Sequence, residues 1–191
     1  MMNRRSLLGS GLALSVGALA ASTGVARAQM SQSTAYRFTF EGLERPPIPL
    51  ADYAGKPILV VNTASFCGFV NQMDGLQALH KELGPRGLVV IGVPSGDFGG
   101  QEAANPADIA AVAVQHGVTF PMAAKTKVVG PEAHPFFKWA ATQRPRDLPR
   151  WNFYKFLVGT DGNLVDVWSS LTAPDSATLR KAIEKELSAK S

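Results

Sequence analysis

The stretch Pro57-Ile58-Leu59-Val60-Val61 constrains this chain more than any other. A short, wholly apolar, β-branched run reads as a strand covered on both faces, and such strands lie in sheets sandwiched between helices. Beyond it, Val70, Met73, Leu76, Leu79 and Leu83 recur at helical spacing, interrupted by Gly75. The segment between them, Asn62-Thr63-Ala64-Ser65-Phe66-Cys67-Gly68-Phe69, is then a strand-to-helix turn, and it holds the only cysteine. Backbone N–H groups and the positive end of the helix dipole favour a thiolate at such a place. A free cysteine also packs well as a small buried hydrophobe, so Cys67 is either a reactive thiol or core.

The first residues lie outside this frame. Arg4 and Arg5 precede an uncharged Ala/Gly/Leu-rich stretch from Ser6 to Ala26, and Ala26-Arg27-Ala28 offers small residues for cleavage. That is a secretory signal over residues 1–28, leaving one domain over 29–191, exported and periplasmic, with no membrane insertion after removal. Asn3-Arg4-Arg5-Ser6-Leu7-Leu8 resembles a twin-arginine export signal, with a general secretory signal as the alternative. Three of the 19 basic residues and none of the 15 acidic ones fall in this leader, so the remainder is nearly neutral. With no basic stripe carrying aromatics, nucleic acid is not an expected partner. A single cysteine rules out an internal disulfide, and Val70 rules out Cys-x-x-Cys dithiol exchange.

Along the domain, Tyr36, Phe38 and Phe40 alternate as an edge strand, and Arg45-Pro46-Pro47-Ile48-Pro49 reads as a connector because prolines forbid regular pairing. Leu88 to Val93 is a second apolar strand. Asn105-Pro106 caps a helix whose inner face is Ile109, Val112 and Ala113. A further helix is predicted to begin near Pro131, with Phe136, Trp139 and Ala140 inward. Tyr154, Phe156 and Val158 alternate into the turn Gly159-Thr160-Asp161-Gly162-Asn163, and Leu164 to Trp168 returns. Thr172-Ala173-Pro174-Asp175 starts a last helix with Leu179, Ile183 and Leu187 one turn apart. The whole reads as an α/β sandwich.

Five segments in this order resemble the glutathione peroxidase family: Gly55-Lys56-Pro57 through Phe69; Phe98-Gly99-Gly100-Gln101-Glu102; Gly117-Val118-Thr119-Phe120-Pro121-Met122; Ala133-His134-Pro135-Phe136-Phe137; and Trp151-Asn152-Phe153-Tyr154-Lys155-Phe156-Leu157-Val158. The resemblance implies a thioredoxin-like fold, with a central mixed β-sheet flanked by helices. It puts Cys67 at the peroxidatic position, and Trp151 and Asn152 at two positions that hydrogen-bond the sulfur. An indole N–H and an amide NH₂ are neutral donors suited to a thiolate and to charge developing during peroxide cleavage. Aligning on Phe98-Gly99-Gly100 puts Asp97 where the family has a glutamine. A carboxylate there disfavours a neighbouring thiolate. Asp97 is then a general base relaying the thiol proton, or it points to solvent, or it is simply a polar turn residue.

A second departure concerns turnover. Thioredoxin-dependent relatives carry a resolving cysteine near the helix holding Val112, Ala113 and Val114, and none exists here. A Cys67 sulfenic acid must therefore meet an external thiol, glutathione or a thioredoxin-like protein. The short Trp139–Trp151 segment lacks the insertion of tetrameric members, which points to a monomer. The expected activity is reduction of hydrogen peroxide or organic hydroperoxides without metal or cofactor. Phe66, Phe69 and Phe98 suit an apolar hydroperoxide. The rival is a single-cysteine redox sensor or partner-binding protein that does not turn over. Of the histidines, His80 lies roughly 20 Å from Cys67 along a shared helix, while His116 reads as a helix-end residue and His134 as a structural hydrogen-bonder.

Overall fold

The computed structural model describes residues 34–189; the signal segment falls outside them. Strand β3 (Ile58–Thr63) is buried along its whole length, as a strand inside a sandwich must be. On one side it pairs in parallel with β4 (Val89–Pro94), from Ile58 opposite Val89 to Thr63 opposite Pro94. On its other side it pairs antiparallel with β5 (Lys155–Val158), which pairs in turn with β6 (Leu164–Trp168). The sheet order is β4-β3-β5-β6. Helix α1 (Gln72–Leu83) is the crossover between the parallel pair, since parallel neighbours cannot be joined by a tight turn.

Alternation along the strands sorts the core into two layers. Leu59, Val61, Val90 and Leu157 face Met73, Leu76 and Leu79 of α1 and Leu179 and Ile183 of α4 (Ala177–Ser188). Ile58, Val60, Ile91 and Phe156 face the other way, onto Phe136, Phe137 and Ala140 of α3 (Pro135–Gln143). This is the α/β sandwich that the residue pattern predicts, with the central mixed sheet that the family resemblance implies. Helix α2 (Pro106–Gln115) flanks it, and the Asn105 side chain accepts from the Asp108 N–H as a cap at 2.8 Å.

The structure corrects four local expectations. Residues 35–37 form a 3₁₀ turn, so the predicted first strand shrinks to β1 (Thr39–Phe40). Its partner is β2 (Ile48–Pro49), inside the proline run read as a connector. The lost donor at Pro49 is tolerated because the next residue serves: Leu50 N–H donates to Phe38 at 2.9 Å. Helix α3 begins at Pro135 rather than near Pro131, where His134 Nδ1 accepts from Phe136 N–H. Helix α4 begins after Ser176, which caps it, and not at Pro174.

Lys155 breaks the apolar pattern of β5 from the inside. It pairs with Val61, faces the α1 layer, and is fully buried. Its ammonium donates to Gln72 Oε1 and to the Thr172 carbonyl, the latter at 2.6 Å. Loss of hydration drives its pKa down to about 7. Because the unfolded lysine titrates at 10.5, the unfolded chain binds the extra proton between these values, so stability rises with pH across that window and is lost as pH falls toward 7. Lys155→Met should abolish this component. Urea midpoints at about pH 6.5 and about pH 9.5 should diverge between wild type and variant, with wild type gaining at the higher pH.

Candidate active site

The site begins where β3 ends. Asn62 is wholly buried and uses both ends of its carboxamide: Nδ2 donates to the Trp151 carbonyl at 3.0 Å and Oδ1 accepts from Tyr154 N–H at 2.9 Å. Its own carbonyl accepts from Phe153 N–H at 2.6 Å. Between those contacts Phe153 is left-handed, with φ of 64°. An aromatic residue pays strain for that conformation, and its complete burial offsets the cost. This clamp fixes Trp151 and Asn152 at the end of the sheet, next to the turn that follows β3.

The turn is held from the far side by residues 101–102. Phe66 N–H donates to the Gln101 carbonyl at 2.9 Å, and Ser65 N–H donates to Glu102 Oε1 at 3.2 Å. Two consecutive left-handed residues, Gly99 and Gly100 with φ of 66° and 64°, turn the chain so that Gln101 arrives there. Few side chains accept that pair of conformations, which is why the segment reads Gly-Gly. A Cβ on Gly99 would lie within 3.6 Å of the Trp151 ring, and Phe98 rests against that indole at 6.1 Å between centroids. Glu102 is buried, with Oε2 unpartnered, and loss of hydration pushes its carboxyl pKa up despite the amide donors.

Cys67 lies within this frame, but not as an accessible bend. It is 2% exposed and packs with Ala64 and Met73 in the α1 layer. The exposed side chain at the turn is its neighbour Phe66, at 65%. The helix proper starts at Gln72, so Cys67 belongs to the irregular turns before it rather than to the helix N-terminus. Among the described residues no hydrogen bond is made to its sulfur. Asn152 is fully buried, and its Nδ2 donates instead to Gln101 Oε1 at 3.1 Å.

Asp97 is drawn away from this group. Its Oδ2 accepts from Val128 N–H at 2.6 Å and Val129 N–H at 3.1 Å, and Oδ1 pairs with Lys127 at 3.1 Å. Burial opposes ionisation there, but the two amides and the lysine outweigh it and hold the pKa below the usual carboxylate value. The side chain is 5% exposed, so it does not point to solvent. The carboxamide that does stand beside Asn152 is Gln101, which sequence reading passed over as part of a motif. The Gly99-Gly100 turn was the signal that the chain doubles back there.

The histidines do other work. His134 Nε2 bonds the Thr39 carbonyl at 2.9 Å, His116 pairs with Asp74 at 2.8 Å, and His80 lies edge-on to Phe120. Among the described residues no group of three or more His, Cys, Asp or Glu gathers to hold a metal.

The glutathione peroxidase family pattern matches residues 35–141. The chain belongs to the glutathione peroxidase family. It is 40% identical over 156 residues to the hydroperoxy fatty acid reductase gpx1 of Synechocystis sp., covering 76% of this chain and 92% of that one. It is also 40% identical over 167 residues to the glutathione peroxidase-like peroxiredoxin GPX5 of Chlamydomonas reinhardtii, covering 84% and 100%. Among solved structures, that of Trgpx in its apo form superposes with a TM-score of 0.66 at 32% identity, over 81% of this chain and 95% of that one. The protein is therefore a thiol-dependent peroxidase on a thioredoxin-like fold.

The Asp97 contacts carry their own test. Asp97→Ala orphans two amides and should cost about 2 kcal/mol of stability in a denaturant titration. Oxidation of Cys67 by hydrogen peroxide should stay within about threefold, whereas removal of a general base would slow it roughly 100-fold or more.

Proposed function

We propose that Cys67 is the peroxidatic residue and that Trp151 and Asn152 supply the donors that face its sulfur. The observation carrying this reading is the convergence of two independently anchored segments: the 64–67 turn bound by Gln101 and Glu102, and the 151–154 turn clamped by Asn62. Donors of this kind are often long or misaligned in the resting state and tighten when charge appears.

The thiolate attacks one peroxide oxygen, the O–O bond breaks, and the leaving oxygen takes a proton to become water or alcohol. Cys67 is thereby oxidised to a sulfenic acid. An external thiol then displaces water to give a mixed disulfide. A second thiol releases Cys67 and leaves as the reductant's disulfide. With no other cysteine in the chain, both thiols come from outside.

The substrate we favour is an organic hydroperoxide with an apolar chain. A cleft of about 260 Å³ formed by Phe69, Trp151, Tyr154, Ser169, Ser170 and Leu171 adjoins the site, and Leu171 is 84% exposed. Relatives named as hydroperoxy fatty acid reductases support the same class. The exposed apolar rim of Phe66 and Leu171 also favours a thioredoxin-like dithiol protein over glutathione as the reductant. The Arg4-Arg5 leader supports export to the periplasm, and the short span from Trp139 to Trp151 supports a monomer.

Steady-state peroxide consumption with glutathione against a thioredoxin system, with Cys67→Ser as the blank, tests this reading. Turnover should be faster with the thioredoxin system and absent in the blank. A single stoichiometric oxidation without turnover would make the protein a sensor instead. Leu171→Ser should lower kcat/KM for an apolar hydroperoxide about threefold to tenfold while leaving hydrogen peroxide unchanged.

A further inference from the structure

The geometry points to Gln101 as the residue that positions Asn152 against Cys67, doing from a new place in the chain what Asp97 cannot do. This rests on the reading of Asn152 as a donor to the sulfur.

Gln101 touches both halves of the site at once. Its main-chain carbonyl accepts from Phe66 N–H, one residue from Cys67, at 2.9 Å. Its side-chain carbonyl accepts from Asn152 Nδ2 at 3.1 Å. No other residue makes both links among those described. The Asn152 backbone is fixed separately, since its carbonyl accepts from Ser170 Oγ at 2.6 Å. Its side chain has only the Gln101 contact, because Oδ1 is buried without a partner. The rotation of that carboxamide, and so the direction of its second N–H, is therefore set by Gln101 alone. An unanchored amide in a buried site turns freely and meets a developing thiolate charge in the wrong orientation.

The placement of Gln101 is itself over-determined. The left-handed Gly99-Gly100 pair delivers it, its N–H donates to the Phe98 carbonyl at 3.4 Å, and its stem passes beside the site a Gly99 Cβ would fill. Asp97 cannot serve in its stead. Its two oxygens are committed to Val128, Val129 and Lys127, so neither is free to accept from Asn152. Gln101 does not reach the sulfur itself; it acts through Asn152.

A double-mutant cycle on the full domain decides the matter, read as the rate constant for Cys67 oxidation by hydrogen peroxide. Gln101→Met keeps the size of the side chain and removes its acceptor. It should slow oxidation about tenfold, and Asn152→Ala by at least as much. The double variant should be no slower than Asn152→Ala, because the two residues act as one unit. Reduction of the sulfenic acid by added thiol should change less than oxidation does, which a general loss of structure would not produce. In wild type, one Asn152 carboxamide proton should be protected from solvent exchange by NMR, and in Gln101→Met that protection should vanish. The NMR measurement on wild type stands even where the variant folds poorly. Gln101→Met as fast as wild type, a fully additive double variant, or freely exchanging Asn152 protons in wild type would each overturn the role of Gln101. Asn152→Ala as fast as wild type would instead overturn the donor assignment on which it rests.

Discussion

The site depends on the four-point attachment of Asn62 to the 151–154 segment. Asn62 is the fifth residue of a strand otherwise built to exclude water, and a carboxamide there costs stability unless both its ends are satisfied. Both are, at the Trp151 carbonyl and the Tyr154 amide, and its backbone adds the Phe153 and Tyr154 contacts. The Asn62 N–H to Tyr154 carbonyl bond continues the β3–β5 register, while the Phe153 N–H to Asn62 carbonyl bond departs from it by one residue, at the point where Phe153 is left-handed. A regular antiparallel continuation would carry Trp151 and Asn152 along the strand direction. The departure turns them across the end of the sheet, so the polar residue in the strand and the strained residue in the turn are one device.

Much of this was legible before any coordinates. The apolar run of β3, the α1 periodicity and the alternation of layers follow from side-chain pattern alone, because each element has only one way to bury its stripe. The errors fall where pattern carries no information. Tyr36, Phe38 and Phe40 alternate as a strand would, yet Ala35–Arg37 closes a 3₁₀ turn whose Tyr36 hydroxyl donates to the Thr160 carbonyl at 2.7 Å, a contact across most of the chain. Lys155 stands in the family motif only as one of its residues, though its burial shows that β5 is covered on both faces rather than half-exposed. The family resemblance marked Trp151 and Asn152, but nothing in the linear sequence says that Asn62 holds them. The pairing of Asn152 with Gln101 is likewise a fact of three dimensions.

Asp97 shows how a charge is accommodated beside a site proposed above to work through anionic sulfur. Left free, a carboxylate there opposes the thiolate by Coulomb repulsion and the protein pays twice, in stability and in reactivity. The fold instead removes the charge from play, with two amides on one oxygen and an ammonium on the other. The segment that provides those amides also provides Lys127, so one loop supplies all three neutralising groups. A glutamine in that place could take both amides on its one carbonyl oxygen but would set its NH₂ donors against the Lys127 ammonium, which is a physical reason for an aspartate beside this loop.

The near-complete burial of Cys67 bears on how the two proposed reaction partners reach it. Hydrogen peroxide is little larger than water and needs only a small opening, while a reductant sulfur must approach along the axis of the bond it breaks. Cys67 sits in the turn 64–67, which the Ser65 and Phe66 amides tie to Glu102 and Gln101, with a 3.5 Å contact from Cys67 N–H to the Ala64 carbonyl. The outward-facing Phe66 is the apolar side chain that the turn offers to a partner. In the reading proposed above, a protein reductant that takes Phe66 into an apolar contact on its own surface would displace that turn as it binds. On the same reading, with a thioredoxin-like reductant, access to the oxidised sulfur is then coupled to recognition of that partner.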